Sequence, residues 1–177
     1  RRQDAVRTDW LTEVDAALHR SMDSLRRLVF ELSPPELVES GLPTALSRVV
    51  EHLFANSHVT VRIDCPHEVA VPYAVADTAF RVVTEALTNA RKHATARSIA
   101  VRVVLTHDSL VVSIVDDGAG FIDAPPLGHL GLDSMRDRSE AIGGSCEITS
   151  GPSGTSVRAT LPLDSGSGAR SDDYAVT

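Results

Sequence analysis

From Tyr73 to Ala94 the chain has neither glycine nor proline, and Ala79, Val83, Ala86, Ala90 and Ala94 fall on one face of a helix. At roughly 100° per residue, Glu85, Asn89 and Lys92 form a second stripe well away from the first, with His93 between the two. A helix so divided packs on a sheet with its small apolar stripe and leaves a polar stripe over. Glu85, Lys92 and His93 suit a solvated surface with Glu-to-Lys neighbours. Asn89 suits it less, because asparagine is a mediocre helix former and has no terminus to cap there.

A second segment complements the first. Leu110-Val111-Val112-Ser113-Ile114-Val115 has the β-branched content of a buried strand and runs straight into Asp116-Asp117-Gly118-Ala119-Gly120. Gly118 and Gly120 permit positive φ and a close ligand approach, and Asp116 at the strand end can accept a hydrogen bond from an exocyclic amine. Taken alone, Asp-Gly is equally a hairpin signal. Downstream, Gly128-His129-Leu130-Gly131-Leu132 leads to a helix for which Asp133 or Ser134 is the expected N-cap, where backbone N–H groups attract phosphate. That helix is expected to stop at Gly143-Gly144. Ser145 to Thr149 and Ser156 to Leu161 then form a hairpin through Ser150-Gly151-Pro152-Ser153-Gly154-Thr155.

The ordered set Glu85-x-x-x-Asn89-x-x-Lys92-His93-Ala94, Asp116-x-Gly118-x-Gly120, Gly128-x-x-Gly131-Leu132-x-x-Met135 and Gly154-Thr155-x-Val157-x-x-x-Leu161-Pro162 resembles the ATP-binding catalytic domain of bacterial sensor histidine kinases over roughly residues 33 to 163. The resemblance implies the Bergerat, or GHKL, fold, with ATP and Mg²⁺ as cofactors. It assigns Asn89 to the Mg²⁺ that bridges the phosphates, an oxygen-ligand role that a hard cation favours. Lys92 and His93 match phosphate-contacting positions, and Glu85 matches the acidic position of the same box, where it orients water or metal-bound solvent. Asp116 matches the carboxylate that recognises the adenine amino group, and Thr155 a hydroxyl beside it. Gly118, Gly120, Gly128 and Gly131 match the hinges of a nucleotide lid, and Leu132 belongs to the same glycine box. The lid, about Ala119 to Leu130 with Pro125-Pro126 inside, is short and lacks a separate phenylalanine box, although Phe121 follows the glycines. That departure points to the short-lid subfamily, whose response-regulator partners commonly carry helix-turn-helix domains.

Ahead of this region Leu11, Val14, Leu18, Ser21, Leu25, Leu28 and Leu32 alternate steps of three and four, an apolar seam interrupted only by Ser21. The helix ends at Ser33-Pro34-Pro35. By resemblance, residues 1–33 are the second helix of a dimerisation domain, 34–163 the catalytic domain and 164–177 a disordered tail. An ordinary amphipathic helix packing on its own domain reads the same way. No Glu-Leu-His-Asp-like sequence holds an acceptor histidine; His19, His52, His58, His67, His107 and His129 lack that context. The expectation is therefore a fragment that binds ATP but does not autophosphorylate alone, and a chain that starts without Met agrees with it. Its implied partners are a dimerisation helix bearing the acceptor histidine and a response regulator, in a homodimeric parent that is either cytoplasmic or the cytoplasmic portion of a membrane sensor. A serine kinase of the anti-sigma type and a non-catalytic nucleotide-binding module share the same boxes.

The 177 residues, 42% hydrophobic, allow one sizeable core with an appendage. A net charge of -7 gives no electrostatic reason to expect direct nucleic-acid binding. Cys65 and Cys146 lie outside metal or redox spacings and read as buried thiols. No apolar run reaches the length that spans a bilayer. Thr44 to Ala55 has helical spacing, His58 to Asp64 alternates with Val59, Val61 and Ile63 on one side, and Ile99 to Leu105 pairs with the run from Leu110 through His107-Asp108-Ser109. The expected fold is a two-layer α/β sandwich, a mixed sheet of about five strands against three helices, preceded by a long N-terminal helix. Arg62, Arg97, Arg102 and Arg158 are expected on its solvent side.

Overall fold

The computed structural model describes residues 35–120 and 129–164. The expected dimerisation helix (1–33) and the tail from Ser165 lie outside them. In chain order the elements are α1 (Pro35–Phe54), β1 (Thr60–Asp64), α2 (Tyr73–Asn89) continued by a π-helical turn (Ala90–Ala94), β2 (Ser98–Leu105), β3 (Ser109–Asp116), α3 (His129–Ala141), β4 (Ser145–Gly151) and β5 (Gly154–Pro162). The strands form one sheet in the order β1-β2-β3-β5-β4, with β1 and β2 parallel and every other pair antiparallel.

Parallel neighbours need a crossover, and α2 supplies it between β1 and β2. The other pairs come from local turns. Between β2 and β3, Thr106 Oγ1 accepts the Ser109 N–H at 3.0 Å and bonds the Asp108 carboxylate, also at 3.0 Å. Between β4 and β5, Gly151 pairs with Gly154 across Pro152-Ser153, and Gly154 has a φ of 121° that side-chain-bearing residues rarely adopt.

Strand alternation decides the layers. Ile99, Val101 and Val103 of β2, Leu110, Val112 and Ile114 of β3, and Val157, Ala159 and Leu161 of β5 are buried, and the residues between them turn to the other face. The α2 helix packs over β3 and β5, and α3 over β4 and β5. Val75, Ala79, Phe80, Val82, Val83, Ala86 and Leu87 make α2 the most deeply buried helix described. Each such large side chain removed from water contributes on the order of 1.5–3 kcal/mol. Arg62, Arg97, Arg102 and Arg158 are exposed as expected, Arg102 pairing with Asp64 at 3.2 Å. Cys65 and Cys146 are both free thiols; Cys146 is buried and Cys65 half-buried. Burial pushes both up from the ordinary thiol range.

Two helix starts differ from expectation. Periodicity assigns no element between Pro35 and Gly41, yet the chain is helical from Pro35, whose fixed φ and missing N–H suit a first turn. Gly41, at φ 75° and ψ 171°, then breaks that helix before Pro43. The α3 helix begins at His129, four positions before the expected Asp133 cap. Asp133 lies inside it and pairs with Arg136 at 3.3 Å. Its end matches the reading: Gly143, at φ 79°, donates to the Glu140 carbonyl and Gly144 to that of Ser139. Among the described residues no helix is long and apolar enough to cross a membrane.

Candidate nucleotide site

The predicted apolar stripe of α2 is buried along its whole length, from Ala79 to Ala94. The polar stripe begins half-buried at Glu85 and Asn89, one turn apart. Beyond Asn89 the α-helical wheel stops applying. Ala90–Ala94 form a π turn, a wider winding frequent at functional sites, which changes the angular offset of Lys92 and His93 from that of a regular α-helix. Both side chains are exposed there, and Thr95 ends the turn in the left-handed region at φ 47°.

Gly131, expected in the loop ahead of the helix, lies within α3. It sits in the first turn of α3 over the Glu85-Asn89 stripe, where an added Cβ would overlap Glu85 Oε1 and lie 3.5 Å from Asn89 Nδ2. With no side chain at Gly131, the start of α3 lies close against the Glu85 carboxylate. Leu132, next in α3, is half-buried. Gly128 lies outside the described residues.

The second half of the site is built at the end of β3. Asp116 follows Leu110, Val112 and Ile114 on the helix-covered face and is only 7% exposed. A carboxylate in that row is tolerated when it is hydrogen-bonded. Its Oδ1 accepts the main-chain N–H groups of Gly118 at 2.9 Å and Thr155 at 3.3 Å. Three glycines make this possible. A Cβ on Gly154 would overlap the Asp116 carbonyl, one on Gly118 the Ala94 carbonyl, and one on Gly120, at φ 60°, the Gly151 carbonyl. Thr155 is held from its other side, where its hydroxyl shares a 3.0 Å hydrogen bond with that of Ser150.

The contact between Gly118 and Ala94 joins the halves. Ala119 donates its main-chain N–H to the Ala94 carbonyl at 2.8 Å, so the loop after Asp116 is bonded to the turn that continues from Asn89. Asp117 reinforces the join through the start of β2. Its Oδ1 accepts the N–H groups of Arg97 at 2.7 Å and Ser98 at 2.9 Å, and its Oδ2 the Ser98 hydroxyl at 3.2 Å. These donors, Ser98 first and Arg97 next, hold its carboxyl below the ordinary carboxylate value. The sequence gives Asp117 and Ser150 no site role and places Ala94 only on the apolar stripe. Only Ser150 had a legible signal, since a two-residue turn at Pro152-Ser153 puts it opposite Thr155.

Among the described residues no cluster of three or more histidine, cysteine or carboxylate side chains is arranged to hold a metal ion. Mg²⁺ bound with a polyphosphate takes one or two protein oxygens together with phosphate and water. The half-buried Asn89 and Glu85, adjacent on one helix face, have the right chemistry for it.

Residues 74–165 match the family described as histidine kinase-, DNA gyrase B-, and HSP90-like ATPase. The chain belongs to that family: the sheet, its helices and the paired motifs are its ATP-binding domain, in the Bergerat fold found in sensor histidine kinases. It is 30% identical over 174 residues to the sensor histidine kinase NarS of Mycobacterium tuberculosis, covering 92% of this chain and 40% of that protein. It is 31% identical over 170 residues to the nitrate/nitrite sensor protein NarQ of Escherichia coli, covering 91% of this chain and 29% of that one. The chain thus spans well under half the length of these relatives. Among solved structures, the histidine kinase domain of the Erythrobacter litoralis EL346 blue-light activated histidine kinase superposes with a TM-score of 0.60 at 26% identity, covering 70% of this chain and 60% of that one.

Proposed function

We propose that this chain is the catalytic region of a two-component sensor histidine kinase, which binds ATP with Mg²⁺ and presents the γ-phosphoryl group to a histidine on a dimerisation helix. The observation that carries the reading is the buried Asp116. Its Oδ1 is occupied by the Gly118 and Thr155 amides, and among the described residues Oδ2 takes no bond, which leaves an acceptor for the adenine amino group. The Thr155 hydroxyl, oriented by Ser150, contacts the base directly or through water. Asn89 would hold Mg²⁺, with Glu85 orienting water or metal-bound solvent, and Lys92 and His93 on the π turn would meet the phosphates. Gly118, Gly120, Gly128, Gly131 and Leu132 belong to the lid and its junction with α3.

Phosphoryl transfer to an imidazole needs alignment and charge neutralisation more than covalent help. Bound Mg²⁺ supplies charge neutralisation at the phosphates. The residues of this chain fix the nucleotide at both ends: Asp116 sets the base, and the exposed Lys92 and His93 of the π turn set the phosphate chain. The acceptor nitrogen then displaces ADP at the γ-phosphorus, forming a P–N bond as the β–γ bridging bond breaks. A response regulator receives the group afterwards. The short lid supports a place in the short-lid subfamily, and the parent assembly is a homodimer.

The test is to mix this chain with a separate dimerisation domain carrying an acceptor histidine, together with radiolabelled ATP. Acid-labile, base-stable label on the added domain is expected. Acid-stable label on a protein serine would point to an anti-sigma-type kinase, and nucleotide binding without transfer to a binding module.

A further inference from the structure

We propose that Asp117 is a positioning residue that sets the distance between the adenine end and the phosphate end of the site, an inference that rests on the nucleotide-binding reading above. Asp117 is exposed, and its carboxylate accepts hydrogen bonds from the main chain at residues 97 and 98 and from the Ser98 hydroxyl. It acts on the joint. Asp116 ends β3, whereas Asn89, Lys92 and His93 belong to α2 and its π turn. From the π turn the chain enters β2 through Thr95-Ala96-Arg97, where Thr95 turns it sharply through the left-handed region, and β2 pairs with β3 at Ile99 and Asp116. Two main-chain bonds already cross the joint, Ala119 N–H to the Ala94 carbonyl and Asp117 N–H to the Ser98 carbonyl at 3.2 Å. The Asp117 carboxylate adds three more, and two of them capture consecutive N–H groups as the chain leaves the turn. Charge-assisted bonds of this kind are stronger than neutral ones and fix direction. Because the donors are exposed, water replaces the carboxylate when it is removed and folding survives, while the turn is free to move relative to Asp116.

A residue that sets this distance affects only ligands that reach both ends. Adenosine engages the Asp116 half, and ADP with Mg²⁺ engages both. The experiment is competition of each ligand against a fluorescent ATP analogue on the wild-type chain and on Asp117→Ala, Asp117→Asn and Asp117→Glu, with circular dichroism confirming the fold of each. For Asp117→Ala, adenosine affinity is expected within about threefold of wild type while the gain from adding phosphates and Mg²⁺ falls about tenfold or more. Asp117→Asn, whose amide oxygen still accepts both N–H groups, is expected to restore most of that gain. Asp117→Glu keeps the charge but displaces the oxygens, and is expected to lose it. Equal losses for adenosine and ADP, an undiminished phosphate gain in Asp117→Ala, or a Glu variant that behaves as wild type while Asn does not would each overturn the proposal. A wild-type chain that gains nothing from the phosphates would instead overturn the nucleotide reading, and this inference with it.

Discussion

Gly118 rests against the carbonyl of Ala94 so closely that no side chain fits between them, and this contact holds the end of β3 to the turn that follows Asn89. The candidate site depends on it, because its two chemically distinct halves lie on elements that do not follow one another in the chain.

Gly118→Ala must push a methyl group into main-chain atoms that have no rotamer to escape by. The expected loss is about 2–3 kcal/mol of folding stability, with nucleotide affinity falling as well. Gly143→Ala is the control. Its φ of 79° is unfavourable for alanine, but only Pro162 Cγ lies near, at 3.8 Å. It should lose about 1–2 kcal/mol and bind nucleotide as wild type does. Urea denaturation and nucleotide titration of both variants check this, and a Gly118→Ala protein with wild-type affinity would separate the contact from the site.

Asp116→Asn keeps an oxygen for the Gly118 and Thr155 amides but presents an NH₂ donor where the adenine amino group needs an acceptor. The fold should persist, and ATP affinity should fall about tenfold to a hundredfold. Because the guanine edge differs at that position, the preference for ATP over GTP should shrink. Titration calorimetry with both nucleotides measures it; an unchanged preference removes Asp116 from base recognition.

Asn89→Ala, and equally Asn89→Asp, should abolish the Mg²⁺-dependent part of nucleotide binding and leave the helix intact, since Asn89 is only half-buried. The measurement is ATP affinity with Mg²⁺ and with EDTA. In wild type the two values should differ, and in the variants they should coincide. Wild-type Mg²⁺ dependence in either variant would take Asn89 out of the site.

The Asp117 carboxyl, held below its ordinary value of 3.8 by the Ser98 and Arg97 donors, contributes stability that is full above the unfolded pKa and is lost as pH falls through the folded one. The stability gap between wild type and Asp117→Ala should therefore be flat from about pH 5 to 8 and close below about pH 4. Asp108, held low by Thr106 and Ser109, acts with the same sign and stays in both proteins, so acid sensitivity remains in the variant. Urea midpoints across that range report the gap; one that widens toward acid would contradict the assignment.

Most of the fold was legible because it is written in short periods. Alternation marks β2, β3 and β5, and the uninterrupted small-residue stripe marks α2. The site residues on these elements were legible as residue types at fixed positions. What bonds them together was not, since it is set by contacts distant in sequence: Asp117 bonds Arg97 and Ser98, and Gly154 lies on Asp116. The π turn escaped for another reason. Ala90-Arg91-Lys92-His93-Ala94 has good α-helical propensity, so its residue types do not mark the wider winding. The early start of α3 escaped because Gly128 and Gly131 read as loop residues, whereas Gly131 lies within the helix.

The most direct measurement is an amide-resolved NMR titration of this chain with ADP and Mg²⁺. Gly118 and Thr155, which donate to Asp116, report the base end, and Ala90 to Ala94 report the phosphate end. Both sets of signals are predicted to move along one saturation curve with a single dissociation constant, while adenosine alone moves chiefly the first set. Two sets that saturate independently, or a π turn that never responds, would contradict a single nucleotide held between Asn89 and Asp116.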